Sequence, residues 1–158
     1  MEKVVDIADL AVSNDSSCTL VTYSLGSCIG LAIWDPVVRV GGLLHFMLPE
    51  SSIAPEKAAA KPCMFADTGI PLLFKNCYKL GAEKRRMVVK VAGGSQLMDA
   101  EGVFNIGKRN LLALRKLLWR NNVMIDAEDI GGNEGRTVRL EVATGRFRVK
   151  AKTREYEI

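Results

Sequence analysis

The rhythm of hydrophobic and polar positions changes several times along the chain, and each change marks an element. Residues 18–23 alternate β-branched and apolar side chains as a strand does, and 29–34 form an apolar run that Asp35-Pro36 stops. A second apolar run, 41–48, closes at Pro49. The period then lengthens: Leu72, Leu73, Phe74, Cys77 and Leu80 fall at helical spacing, with Asp67 or Thr68 placed to cap, Pro71 suited to the first turn and Gly81 as the stop. Residues 87–92 return to strand character and end at Gly93-Gly94. The clearest helix covers 105–120, where Ile106, Leu111, Leu114, Leu117 and Leu118 share a face and basic residues lie between them. A short strand near 123–125, a turn at Gly131-Gly132 and two alternating runs, 137–142 and 146–151, complete the pattern, with Thr144-Gly145 as the hairpin turn. Strands dominate and two helices are inserted, so the expected class is α+β.

Composition narrows the picture. The 158 residues suit one domain, here taken as 1–158, and a globule of that size buries roughly 70% of the surface its unfolded chain exposes. With 48% hydrophobic and 25% charged residues, the chain is ordinary for a folded, water-soluble protein. Each apolar run is interrupted well short of the roughly 18 residues of a membrane-spanning helix, and residues 1–6 lack a secretory signal pattern, so the expected location is the cytoplasm. The charge balance, 22 Lys plus Arg against 18 Asp plus Glu, is too mild to name a partner. Arg115, Lys116 and Arg120 read as the wet face of a helix, and Arg146, Arg148 and Lys150 as the wet face of a strand. Nucleic-acid binding through Lys108, Arg109, Arg115 and Arg120 has little support, since aromatic residues are 6% and no nucleic-acid motif is present. The block from Gly131 to Arg136 lacks the ending of a phosphate-binding P-loop and reads as a turn between strands.

Four cysteines, Cys18, Cys28, Cys63 and Cys77, contain no C-x-x-C pair, so neither a metal site nor a disulfide framework is expected. Cys18, Cys63 and Cys77 lie in apolar patterns and suit burial. Cys28 differs: it stands where a strand ends, in Leu25-Gly26-Ser27-Cys28-Ile29-Gly30. Gly26 and Gly30 would let the backbone approach a substrate, and amides around Gly26, Ser27 and Cys28 could face a developing oxyanion. The single histidine, His45, lies on the next apolar run, where an antiparallel neighbour could bring its ring to the thiol. The residues alone leave two readings open, a Cys–His pair or a satisfied core histidine. Thr22 would gain a role only through a hydrogen bond to the imidazole.

Thr22, Leu25-Gly-Ser-Cys28 and His45-Phe-Met-Leu-Pro49, in this order and spacing, closely resemble the CheD family of chemoreceptor glutamine deamidases. The likeness continues through Ala66-Asp67, Gly93-Gly94, Ile106-Gly-Lys-Arg-Asn110, Gly131-Gly132, Gly135-Arg136 and Thr144-Gly145, covering most of the chain. It implies a single domain of stacked, mostly antiparallel sheets flanked by helices, similar to other cysteine deamidases. It implies a hydrolase without cofactor that converts glutamines of methyl-accepting chemotaxis receptors to glutamate and ammonia. Cys28 would be the nucleophile, His45 the base and then acid, and Thr22 the orienting member, with Gly26 and Ser27 at the oxyanion. A CheC-type phosphatase is a further implied partner, and the chain would be a monomer on its own, without membrane insertion. Ala92-Gly93-Gly94-Ser95 departs from the family, which often has Phe before the glycine pair and Ala after it. The segment 49–53 would be either a loop over the site or a plain connection.

Overall fold

The computed structural model describes residues 1–96 and 104–158, which build two five-stranded sheets and a helical layer. The first sheet has the spatial order β1 (Glu2–Val4), β3 (Thr19–Leu25), β8 (Arg136–Glu141), β9 (Phe147–Ala151), β10 (Arg154–Glu157). The second has β2 (Asp9–Ser13), β5 (Val40–Phe46), β4 (Ile29–Asp35), β6 (Val88–Gly93), β7 (Ala127–Ile130). Among the described residues, neighbouring strands run antiparallel except in the β1–β3 and β6–β7 pairs. Among the described residues three α-helices lie between strands, α1 (Pro55–Ala60) and α2 (Ala66–Lys79) between β5 and β6 and α3 (Ile106–Arg120) between β6 and β7. The class is α+β, as expected.

The second sheet is the middle layer, and its central strands are apolar on both faces because both faces are covered. Ile29, Leu31 and Ile33 of β4 and Leu44 and Phe46 of β5 pack with Ile70 and Leu73 of α2 and Leu114 and Leu118 of α3. The alternate residues, Ala32 and Leu43, meet Leu20, Val138, Leu140 and Phe147 between the sheets. This period of two puts His45 on the same side of β5 as Leu43, facing the first sheet, and Thr22 on the same side of β3 as Leu20, facing the second.

A bulge in β3 between Thr22 and Leu25, with Ser24 at φ 58°, leaves Tyr23 and Ser24 outside and turns Leu25 inward. Leu25 then fills the space over Gly30, where a Cβ would lie 2.9 Å from its Cδ1. Gly30 therefore makes room for core packing and not for a substrate.

Several boundaries differ from the pattern. Helix α2 starts at Ala66 with Phe65 in the capping position, and no side chain caps it. Asp67 instead accepts hydrogen bonds from the Ser51 N–H (2.9 Å) and Oγ (2.7 Å), and Thr68 donates to the Pro62 carbonyl (2.5 Å). Pro71 falls in the second turn. Gly81, at φ +97°, does stop the helix: its N–H reaches Tyr78 O and the Ala82 N–H reaches Cys77 O, a Schellman arrangement. No strand occupies 123–125. Val123 and Ile125 are apolar because they pack against the helix-side core, and pairing begins only at Ala127. The strands β1, β2 and β10 and the helix α1 carried no periodic signal, since they lie largely exposed at edges or on the surface.

Candidate active site

The two sheets meet through a hydrogen bond between buried side chains: Thr22 Oγ1 and His45 Nδ1 are 2.7 Å apart. The threonine hydroxyl also donates to the Val5 carbonyl, 2.7 Å away. A hydroxyl has one proton, and a carbonyl can only accept. The proton therefore points at Val5, and the hydroxyl oxygen accepts from an imidazole protonated at Nδ1. Nε2 is left with its lone pair free, and among the described residues it has no hydrogen-bond partner although it is buried. The arrangement fixes the tautomer that can take a proton at Nε2.

Strand register brings Cys28 into this neighbourhood. Gly30 is the cross-strand partner of His45 in the β4–β5 ladder. Cys28 lies two residues upstream, in the bend that precedes β4, and so stands diagonally across the pair from His45. Cys28 is partly exposed, whereas Cys18, Cys63 and Cys77 are buried.

The bend is held from outside through each of its carbonyls. Gly26 O accepts from the Ser95 N–H and Oγ, both at 2.9 Å. Ser27 O accepts from Asn110 Nδ2 at 2.9 Å, and Cys28 O from the Gly94 N–H at 2.9 Å. Among the described residues no backbone carbonyl accepts from the amides of Gly26, Ser27 and Cys28, and the Cys28 N–H meets its own thiol. Gly93 allows this clamp: it sits at φ +111°, and a Cβ there would lie 2.3 Å from Cys28 O. Gly107 does the same for α3, since a Cβ on it would lie 2.4 Å from Gly94 O.

Burial acts on both reactive groups. It pushes the Cys28 thiol above its ordinary value, partly opposed by a hydrogen bond from the residue's own N–H, and it lowers the His45 imidazole to about 4. Near neutral pH the free protein holds a thiol and a neutral imidazole.

The structure thus brings together Thr22, His45 and the bend 26–28, while Gly30 belongs to the core. Sequence reasoning missed the clamp: Ser95 stands in a segment marked only as a departure from the family pattern, and Asn110 only in a block that shares the family resemblance. The available signal was the glycine spacing, Gly93-Gly94 before Ser95 and Gly107 before Asn110. Arg136 of the glycine-rich turn is buried, paired with Asp129 at 3.3 Å and directed to Gly93 O, which fits the turn reading. The segment after β5 makes a short turn, Ser51–Ile53, anchored on Asp67. Among the described residues no three His, Cys, Asp or Glu side chains gather as metal ligands, and no helix is long and apolar enough to cross a membrane.

Comparison with known proteins adds an independent line. The family model described as CheD chemotactic sensory transduction matches residues 47–151. A protein of Syntrophus aciditrophicus named probable chemoreceptor glutamine deamidase CheD 1 is 57% identical over 148 residues, 94% of this chain and 92% of its own length. Probable chemoreceptor glutamine deamidases CheD of Solibacter usitatus and Thermococcus kodakarensis are 46% and 40% identical, covering 98% and 95% of this chain and 92% of their own lengths. The family-model match begins after His45, and the segment with Thr22, Cys28 and His45 is spanned by the near full-length match to the Solibacter relative.

Proposed function

This chain belongs to the CheD family, and on that basis and the site geometry we propose that it is a protein-glutamine deamidase acting on chemoreceptors in chemotactic adaptation. The observation that carries the reading is the buried His45 whose Nδ1 proton is committed to Thr22, leaving an unprotonated Nε2 with the partly exposed Cys28 diagonally across the strand pair. A carboxamide is a poor electrophile and ammonia leaves badly unless protonated, so the reaction needs one group that takes and then returns a proton. As Cys28 Sγ attacks the glutamine side-chain carbonyl, its proton passes to His45 Nε2. The oxyanion forms against the amides of the 26–28 bend. The C–N bond then breaks, the nitrogen takes the proton from Nε2, and ammonia departs. A thioester remains on Cys28. Water attacks it while giving a proton to Nε2, the C–S bond breaks, the thiol recovers its proton, and glutamate is released. Gln plus water gives Glu plus ammonia, with no cofactor required.

The partners in this reading are the cytoplasmic helices of methyl-accepting receptors as substrate and a CheC-type phosphatase, with the chain monomeric and cytoplasmic. The test is peptide mass spectrometry of a receptor cytoplasmic fragment incubated with wild type, Cys28→Ala, His45→Ala and Thr22→Val. Wild type should convert specific glutamines; Cys28→Ala should convert none, His45→Ala almost none, and Thr22→Val should be slowed less. Conversion by Cys28→Ala at the wild-type rate would sink the reading. Binding without conversion by the wild type would favour a partner module instead.

A further inference from the structure

Each peptide unit is planar and trans, so a carbonyl held on one side aims the N–H of the next residue to the other. Asn110 Nδ2 holds the Ser27 carbonyl, which belongs to the same peptide unit as the Cys28 N–H. Ser95 holds the Gly26 carbonyl with its N–H and Oγ, and that unit carries the Ser27 N–H. The same Asn110 amide nitrogen donates to Met47 O at 2.9 Å, two residues beyond His45. Where the β4–β5 ladder ends, Asn110 ties the strand carrying His45 to the bend carrying Cys28.

Resting on the deamidase reading for its chemistry, we propose that Asn110, with Ser95, is a positioning residue that aims the Cys28 and Ser27 N–H groups at the oxyanion of acyl transfer. Asn110 is fully buried on α3, and its Oδ1 has no partner among the described residues. Asparagine is also a poor residue for a helix interior. The hydrogen bonds of Asn110 go to the Ser27 and Met47 carbonyls and not to the thiol or the imidazole, so its influence runs through the peptide plane.

The test compares two reagents on Cys28, with Cys28→Ala as blank. p-Nitrophenyl acetate acylates through an oxyanion: Sγ bonds to the acetyl carbon, the thiol proton passes to His45 Nε2, and p-nitrophenolate leaves. Iodoacetamide alkylates by displacing iodide at a saturated carbon, with no oxyanion. In Asn110→Asp, which sets carboxylate oxygens against two carbonyls, acylation should fall about 100-fold while alkylation stays within about threefold of wild type. Ser95→Ala, which keeps the backbone donor, should lose acylation selectively but by less, and it decides the matter if Asn110→Asp does not fold. Unchanged acylation, or equal loss of both rates in a folded variant, would show that Asn110 only supports the fold. A wild-type Cys28 that alkylates without acylating overturns the proposal too. If the wild type acylates but leaves receptor glutamines untouched, the deamidase reading fails and the role of Asn110 stands.

Discussion

Burial moves Cys28 and His45 in the same chemical direction, toward uncharged forms, the thiol by a raised and the imidazole by a lowered proton affinity boundary. A resting thiolate–imidazolium pair is therefore disfavoured, and the thiolate forms only as the proton passes to Nε2 during attack. The rate of Cys28 alkylation by iodoacetamide should keep rising with pH beyond the ordinary thiol value of 9.0 instead of levelling near neutrality. A plateau below about pH 7 would reveal an ion pair and remove this account. In a deamidation assay the acid limb of kcat/KM should fall near pH 4, where His45 takes up its proton, and not near the ordinary 6.5. Asn110 carries a cost at this scale: its orphaned Oδ1 is worth about 1–3 kcal/mol of lost stability.

At the level of elements, the site exists because two segments far apart in the chain press on one bend. Strand β6 ends in Gly93, Gly94 and Ser95 follow it, and α3 packs Gly107 on Gly94 and sends Asn110 to the Ser27 carbonyl. Gly93→Ala places a methyl into the Cys28 carbonyl and strains a left-handed backbone, so it should cost about 3 kcal/mol or more in urea unfolding. Gly131→Ala, at φ +75° with nothing within 4 Å, should cost about 1 kcal/mol. Equal costs would mean that close approach is not what Gly93 provides. The sequence made much of this frame legible, because β4, β5, β6 and α3 are core elements whose period follows burial. His45 and Cys28 could be placed on neighbouring strands for the same reason. The clamp was not legible, since it depends on carbonyl directions and on contacts between segments far apart in the chain. Gly30 was misread because glycine looks alike whether it admits a substrate or a leucine.

Across the whole molecule, His45 lies at the seam between two sheets and is the only histidine. In the unfolded chain the imidazole binds its proton near pH 6.5, and in the folded protein only near 4. Over that window the unfolded state binds more protons, so stability falls as pH falls, by on the order of 3 kcal/mol in total. Asp35 acts later: burial opposes its charge, but Arg86 and the amides of Glu83, Val37 and Val38 outweigh that and hold it below 3.8. Its contribution is present above that value and is lost below it. Unfolding free energies measured at several pH values should slope between 6.5 and 4 in the wild type and flatten in His45→Leu. An equal slope in both would assign the effect to other groups.

The connection from β1 to β2 crosses that seam: Val5 O accepts the Thr22 hydroxyl proton, and the Ala8 N–H donates to His45 O at 2.9 Å. A proteolytic nick there would leave Thr22, Cys28 and His45 in the protein and still release the hydroxyl proton to swing toward the ring. Such a preparation would be a mixture of competent and silent molecules, with fewer titratable active sites than chains and an unchanged rate per working site.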